Sequence, residues 1–227
     1  MANIATIKLN INEKIYLRDP EQTELGKKII DHSVKLIDEI GFEKFTFKKL
    51  AERIGSTEAS VYRYFENKHK LLVYLVNWYW SWLQYQIDYQ TNNVEDKEKR
   101  LLIAIRIVSE TSRDHTDFEH IDKNALHRIV LSESSKSYYT KEVDEDNAEG
   151  FFKSYKSLCK RIANIIQEIN PDYPYPHTLI STVLESAHQQ VYFAQHLPSL
   201  TNIELNGEDY TPIFDYLKHL VFTQIKR

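Results

Sequence analysis

At 227 residues and 42% hydrophobic composition, the chain is long enough to bury a sizeable core in one large or two small domains. Its net charge of −4 argues against a general polyanion-binding protein. A single cysteine, Cys159, excludes an intrachain disulfide and a cysteine-based zinc site, and a reducing cytoplasm is the expected location. No secretory signal opens the chain, and its most apolar run, residues 71–87, is interrupted by polar residues and too short for a transmembrane helix.

Residues 4–17 carry apolar side chains at alternate positions, a period of two that is typical of extended structure. We therefore expect an N-terminal arm over residues 1–21 that forms a short extended segment or hairpin, and the alternative is a poorly ordered tail. Asp19-Pro20 ends the arm, because the residue before proline avoids helical geometry and proline suits a helix entry.

A helical pattern covers residues 24–40, and Gly41 is expected to end that helix. Residues 46–68 then divide into two shorter helices at Gly55, where glycine permits the backbone of a tight turn. Two short helices joined in this way are typical of a helix-turn-helix, a DNA-binding motif.

Caps and apolar spacing support this division. Thr46 can cap the first short helix, and either Ser56 or Thr57 can cap the second. Val61 and Phe65 lie four residues apart and are predicted to anchor the second helix on the first. The side chains on the other faces of the second helix remain available to DNA.

The charge of this stretch differs from that of the whole chain. From Lys44 to Lys70, seven bases stand against three acids, a local balance of +4. Such a basic patch is attracted to phosphates. The local charge therefore favours a DNA-binding region within a chain that is acidic overall.

The same stretch resembles the N-terminal domain of TetR-type transcriptional regulators, whose turn is roughly Gly-x-Ser/Thr-x-Gly/Ala-x-aliphatic-Tyr-x-His/Tyr-Phe-x-x-Lys. The residues that match in order and spacing are Gly55, Thr57, Ala59, Val61, Tyr62, Tyr64, Phe65 and Lys68. Two positions depart from the family: Ser56 stands where an aliphatic residue is common, and the acidic Glu58 stands where bases are often contacted. The second departure makes the operator sequence harder to predict.

The resemblance implies how this region meets DNA. Phosphate contacts are implied for Ser60, Tyr62 and Lys68, and positions near the base edges for Thr57, Glu58, Ala59 and Arg63. Arg63 could bind guanine with two hydrogen bonds or could contact a phosphate. The complete predicted DNA-binding set is Thr46, Lys48, Thr57, Glu58, Ala59, Ser60, Tyr62, Arg63, Tyr64 and Lys68.

A long helix is predicted from Asn67 to about Gln90, with aromatic residues at steps of three and four. The members of this stripe are Tyr74, Trp78, Trp82, Tyr85 and Tyr89. Core packing explains such a stripe, and so does the wall of a pocket. In the TetR family the fourth helix joins the DNA-binding domain to a ligand cavity, so the resemblance implies Trp78, Trp82 and Tyr85 as effector contacts and a hydrophobic or aromatic effector.

Apolar periodicity predicts five further helices, near residues 94–113, 121–132, 151–169, 179–195 and 213–225. The last two have small residues between larger ones, which suits helix packing across a two-fold axis. These helices form the dimer bundle in most of the family. The predicted dimer contacts are Val183, Ala187, Val191, Leu217, Leu220 and Val221, and the alternative is that both helices only fill the protomer core.

The predicted fold is therefore all-α. A three-helix helix-turn-helix domain is expected over residues 22–68, and a larger helical effector-binding and dimerisation domain over residues 69–227. Residues 114–122 are rich in His, Asp and Glu, but their spacing matches no known metal site, so we predict a solvated loop or helix start and no metal.

The expected function is that of a ligand-responsive transcriptional repressor that binds a palindromic DNA operator as a homodimer and is released by a small hydrophobic effector. An enzyme is not expected, and no cofactor, because the sequence has no nucleophile elbow, glycine-rich phosphate loop or paired metal motif. The remaining alternative is a helical protein-interaction module that keeps the fold without binding DNA.

Overall fold

The computed structural model describes residues 9–110, 121–207 and 209–226, and regular structure in these ranges is helical. The α-helices are α1 (Glu24–Ile40), α2 (Phe47–Ile54), α3 (Glu58–Tyr62), α4 (Lys68–Thr91), α5 (Lys97–Ser109), α6 (Lys123–Glu133), α7 (Val143–Ala148), α8 (Lys153–Ile169), α9 (Pro176–His196) and α10 (Thr211–Ile225). We call residues 23–67 the head and residues 68–226 the body. The all-α prediction is confirmed.

The three helices of the head begin and end where local sequence signals place them. Hydroxyl oxygens of Thr23, Thr46 and Thr57 each accept a hydrogen bond from a backbone N–H in the first turn of the helix that follows. Thr57, and not Ser56, therefore caps α3. Gly55 ends α2 with φ +66°, a left-handed conformation that glycine adopts without steric cost.

Helix α3 is shorter than the predicted apolar spacing suggested. It ends at Tyr62, so Val61 lies on the helix and Phe65 lies beyond it. The amide of Phe65 still donates to the carbonyl of Val61 at 3.3 Å, and both side chains are fully buried. The two residues therefore anchor α3 on the head core as expected, although only one belongs to the helix.

Residues 9–17 form neither a strand nor a loose tail. Asn12 caps a short 3-10 turn, Glu13–Ile15, by accepting from the amide of Lys14, and Ile11 and Ile15 are buried. The expected extended segment is therefore wrong for these residues, because a side-chain cap supplies the backbone partner that a second strand would have supplied. Residues 4–8 of the predicted segment lie outside the described residues.

The chain enters α1 through a second 3-10 turn, Pro20–Gln22, which lies directly against that helix. A Cβ atom at Gly26 would come within 2.2 Å of the carbonyl oxygen of Pro20. Only glycine permits this approach, so Gly26 fixes where the N-terminal segment meets the head.

Helix α4 is the central element of the body and packs against α5, α6 and α8. Its side chains from Leu71 to Trp80 are all buried, whichever way they face, whereas Tyr89 near its end is exposed. The sequence predicted one aromatic stripe along α4, but Tyr79 and Trp80, which lie outside that stripe, are buried as well. A helix buried on all sides is expected at the centre of a bundle.

Helices α9 and α10 pack on one another and on the rest of the body. Five of the six predicted dimer residues are buried inside the protomer: Val183, Ala187, Val191, Leu217 and Val221. Only Leu220 is partly exposed. The prediction that these five side chains contact a partner is therefore corrected: an apolar face indicates burial, and here other helices of the same chain bury it.

The five further helices predicted from apolar periodicity correspond to α5, α6, α8, α9 and α10, with ends shifted by a few residues, and residues 111–113 of the first lie outside the described residues. Residues 134–149 add a 3-10 turn, Ser134–Ser137, and α7. Within the described ranges, no helix is long and apolar enough to cross a membrane. Residues 114–120 of the segment weighed as a metal site lie outside the described residues.

Candidate DNA-binding surface and effector cleft

The outer surface of the head is formed by α3 and the first turn of α2. Seven of the ten predicted DNA-binding residues are exposed there: Thr46, Lys48, Thr57, Glu58, Ala59, Tyr62 and Arg63. Ser60 is half-buried beside them. The helix-turn-helix thus brings together, on one side of the head, most of the residues that the sequence singled out.

Side chains on α3 hold one another in place. The hydroxyl oxygen of Thr57 accepts from the amide of Ser60 at 3.2 Å, and the two hydroxyl groups lie 2.9 Å apart. Arg63 donates from Nη2 to Oγ of Ser60 at 3.0 Å. The guanidinium group is therefore oriented before DNA arrives, which lowers the entropy lost on binding.

Tyr62 is the one large aromatic side chain exposed on this surface, at 46% of its full area. Its ring packs edge-on against Phe47 of α2, with centroids 4.9 Å apart. This contact fixes the ring while leaving part of the side chain open to solvent, so its hydroxyl can donate to a phosphate as predicted.

Tyr64 is in the wrong place for the role predicted from its position in the motif. The side chain is 1% exposed, and its hydroxyl lies 2.7 Å from Oγ1 of Thr23 at the start of α1. Its backbone carbonyl accepts from the amide of Leu17 at 2.8 Å. Tyr64 therefore joins the N-terminal segment to the head core, and the DNA contact predicted for it stays a prediction.

Lys68 also departs from its predicted role. Its ammonium group donates to the carbonyls of Phe42, Glu43 and Phe45 at 3.1, 3.3 and 3.4 Å, and lies 4.7 Å from the ring centroid of Phe42. These bonds tie the first residue of α4 to the loop between α1 and α2. In this structure the charge of Lys68 is directed into the head and away from a phosphate, because three carbonyl oxygens together can accept all of its protons.

Some of the other cations of the head already have an ion-pair or hydrogen-bond partner within the protein, and others are exposed and available to DNA. Arg53 forms a two-bond ion pair with Glu39, and Lys28 donates to the carbonyl of Ile54 at 3.0 Å. Lys48 and Arg63 are exposed, and neither forms an ion pair with a described residue. These two are the strongest candidates for contact with DNA.

An open cleft of about 620 Å³ lies between the N-terminal segment and the body. Its walls are the N-terminal segment (residues 9–13), one face of α4 and the first turns of α8. Of the predicted effector residues, Tyr85 lines the cleft, and Trp78 and Trp82 do not.

The two tryptophans lie in the packed interior instead. Both are 2% exposed, and their rings are stacked with centroids 6.5 Å apart. The ammonium group of Lys123 lies 5.2 Å from the ring centroid of Trp82. Their predicted contact with an effector stays a prediction, while core packing, the alternative from the sequence, describes their surroundings here.

A buried polar cluster joins α4, α6 and α9, and no spacing in the sequence predicts it. Tyr79 bonds to Nδ1 of His127 at 2.8 Å, and the ring of His188 lies 6.2 Å from both rings. No described group bonds to Nε2 of either histidine. Burial lowers the pKa of His127 to about 3, with a smaller contribution from His188, and lowers the pKa of His188 to about 4, so both are neutral at pH 7.

Ion pairs connect the head to the body at two places. Arg128 of α6 forms two hydrogen bonds with Asp38 of α1, at 2.9 and 2.7 Å. The second is Lys136, which follows α6 and pairs with Glu43 of the head at 2.8 Å. Within the body, Asp146 of α7 accepts from Lys70 at 3.3 Å and lies 3.4 Å from the ring nitrogen of His69. The turn after α7 reaches the N-terminal segment, where Glu149 pairs with Lys14 at 2.5 Å. Sequence spacing gives no indication of such long-range pairs.

Comparison with known proteins agrees with this architecture. Residues 29–75 match the family profile described as "Bacterial regulatory proteins, tetR family". This match covers α2, α3, most of α1 and the start of α4, which is the whole candidate DNA-binding surface. None of the curated proteins matches the chain in sequence.

Three solved structures are similar over nearly the whole chain. The fatty acid degradation regulator FadR from Bacillus halodurans has a TM-score of 0.58 at 19% identity and covers 86% of this chain and 92% of its own. SmeT, the repressor of the Stenotrophomonas maltophilia multidrug efflux pump SmeDEF, has a TM-score of 0.57 at 15% identity, and the match covers 90% of this chain and 91% of SmeT. AibR in complex with isovaleryl coenzyme A and operator DNA has a TM-score of 0.53 at 15% identity, and the match covers 85% of this chain and 95% of AibR.

At these identities the structural likeness concerns the fold, and the profile match concerns the head. Both point to the same group of proteins, and the capped helix-turn-helix with its exposed α3 agrees with them. Over residues 29–75 the chain carries the domain described for the tetR family of bacterial regulatory proteins.

Proposed function

We propose that the protein is a transcriptional repressor that binds a palindromic operator as a homodimer and is released by a small-molecule effector. The observation that carries the proposal is the exposed, internally bonded surface of α3, on which Thr57 and Ser60 hold Arg63 in place. It supports direct contact with bases in the major groove, which admits one helix.

A dimer is part of the proposal because one five-residue helix reads only a few base pairs. Two copies related by a two-fold axis would place their α3 helices in successive major grooves about 34 Å apart. Apolar side chains that remain exposed or half-buried on α9 and α10 are candidates for the partner contact: Tyr192, Tyr216, Leu220 and Phe222. They replace the buried residues predicted from the sequence.

The effector part of the proposal rests on the position of α4. This helix begins at the head and continues along the cleft, so a ligand that shifts it changes the spacing of the two α3 helices. The same fold binds isovaleryl coenzyme A and operator DNA in AibR, which supports an effector and an operator on one chain.

Selection of bound DNA from a random pool tests the proposal. We expect enrichment of a two-fold symmetric sequence, and Arg63→Ala should weaken binding to it by roughly tenfold, the loss of one good base or phosphate contact. Arg106→Ala is the matched control, because Arg106 is exposed on α5 in the body, where it pairs with Glu110.

Two results would contradict the proposal. One is a pool without enrichment at moderate salt, which would favour the protein-interaction alternative. The other is equal binding by the parent and Arg63→Ala, which would leave DNA binding in place but remove α3 as the surface responsible.

A further inference from the structure

The cleft between the N-terminal segment and α4 is lined mainly by polar side chains. We propose that it is the effector site and that it binds a neutral, hydroxyl-rich molecule of the size of a mono- or disaccharide or a nucleoside. The inference rests on the proposed function for its regulatory meaning, whereas binding itself is measured without DNA.

The first observation is a polar face on an otherwise apolar helix. Four polar residues of α4 line the cleft at steps of four, three and four, the spacing of one helix face: Asn77, Ser81, Gln84 and Asp88. Asn77 is 4% exposed, and its Nδ2 donates to the carbonyl of Val73 at 2.8 Å. The residue lines the cleft, so its amide group can bond to a ligand there.

The opposite wall has the same chemistry. Ser154 and Ser157 of α8 line it, and Oγ of Ser81 donates to Oγ of Ser154 at 2.8 Å across the cleft floor. These hydroxyl groups can both donate and accept. The walls therefore match a ligand whose own groups do both, such as a sugar hydroxyl.

Charge balance favours a neutral ligand. The carboxylate of Asp88 is paired with Nε of Arg161 at 2.5 Å. The two remaining charged residues of the lining, Glu13 and Lys153, have opposite signs and are exposed. A net charge on the ligand would find no excess of the opposite sign, whereas the ring of Tyr85, which also lines the cleft, offers a face for stacking.

The third wall connects the cleft to the head. Asn12 donates from Nδ2 to the carbonyl of Glu149 at 2.8 Å, which ties this wall to the turn after α7. Five residues later, Leu17 donates its amide to the carbonyl of Tyr64, directly after the candidate DNA-binding residues. A ligand that displaces residues 9–13 thus acts on the head through a short segment as well as through α4.

Thermal unfolding and equilibrium dialysis with glucose, sucrose, mannitol and adenosine test the binding. At least one of these compounds should raise the Tm of the parent. Ser157→Trp, which fills the cleft from an exposed position on α8, should weaken that binding at least tenfold. Lys160→Trp adds the same bulk one turn further along α8, outside the cleft, and should bind like the parent.

The regulatory part has its own readout. The compound that binds should reduce affinity for the selected operator fivefold or more in the parent and in Lys160→Trp, and not in Ser157→Trp. If the chain binds no specific DNA, the proposed function fails while dialysis still decides the ligand class. If none of the four compounds binds, the ligand class is overturned. If dodecanoate stabilises the parent and Ser157→Trp alike, an apolar effector site elsewhere in the body replaces this one.

Discussion

The head and the body achieve their stability differently. In the head, side-chain caps at Thr23, Thr46 and Thr57 begin all three helices, and the buried hydroxyl of Tyr64 has a partner in Thr23. Buried polar atoms without a partner among the described residues occur in both regions: Nδ1 of His32 and Oγ of Ser33 in the head, and Nε2 of His127 and of His188 in the body. The head consists of three helices that each begin at a threonine cap, whereas the body is built around the buried helix α4 and contains a buried cluster of neutral histidines.

This difference matches the work that each region would do in a regulator. A surface that recognises base edges needs fixed side chains, and local caps with short hydrogen bonds provide them. A region that responds to a ligand needs a second arrangement only a few kcal/mol away, and the histidine cluster of the body, in which neither Nε2 has a described partner, lowers the cost of leaving the first. The following predictions test the comparison, from the largest expected effect to the smallest.

A charge in the body core should have the largest effect. Leu217 is fully buried within the protomer, so Leu217→Glu places an unpaired carboxylate among apolar side chains and should destabilise the fold by several kcal/mol. Leu220→Glu, on the same helix but half-exposed, should keep the protomer folded and weaken dimerisation if α10 lies at the dimer interface. Urea unfolding and light scattering separate these outcomes. A fully stable Leu217→Glu protein would show that Leu217 is not a core residue.

The body should also lose stability in mild acid through its buried histidines. Unfolded histidine takes up a proton below a pKa near 6.5, whereas folded His127 and His188 resist protonation down to about pH 3 and 4. The unfolded state therefore binds more protons between these values, so stability is complete above about pH 6.5 and falls as the pH is lowered. Between pH 7 and pH 5 each histidine should cost roughly 2 kcal/mol.

Urea unfolding at pH 7, 6 and 5 measures this loss. His188→Phe should remove about half of the histidine contribution, because phenylalanine has nothing to titrate. His219→Phe is the control, since it makes the same exchange at an exposed position on α10. Equal pH dependence in the parent and His188→Phe would contradict the burial of a neutral imidazole at this position.

Lys68 and Lys48 are expected to have different roles. Lys68 stabilises the head, and Lys48 contacts DNA. Lys68→Met should lower stability by roughly 1–2 kcal/mol, because three carbonyls lose a charged donor. Lys48→Met should leave stability nearly unchanged and lower the slope of log affinity against log salt by about one. A change of slope for Lys68→Met with unchanged stability would restore the phosphate contact predicted from the sequence.

The smallest effect is expected at the start of α3. Thr57→Ala removes the cap of that helix and should cost about 1 kcal/mol of stability. It also removes the partner of Ser60, so affinity for the operator should fall further than stability alone explains. Ser56→Ala is the control and should be close to neutral in both urea unfolding and DNA binding. Equal effects of the two substitutions would mean that the cap is shared.

Motif position and residue type did not predict the surroundings of a side chain whose partners lie in distant parts of the chain. Tyr64 and Lys68 both match the family motif in spacing, yet Thr23 binds the first and the carbonyls between α1 and α2 bind the second. Each of these partners is more than 20 residues away in sequence. The polar residues of α4 that line the cleft also have helical spacing in the sequence, but the effector contacts were predicted at the aromatic residues of the same helix.

The sequence by itself determined the all-α class, the bounds of α1, the cap of α2 and the glycine turn that follows it, because these depend on hydrogen bonds and backbone conformations within a few residues. Only the tertiary structure decided which apolar faces are covered by the same chain, which cations remain exposed and where a cleft stays open. Those properties depend on how distant segments pack, and apolar periodicity shows that a face is buried without showing what buries it.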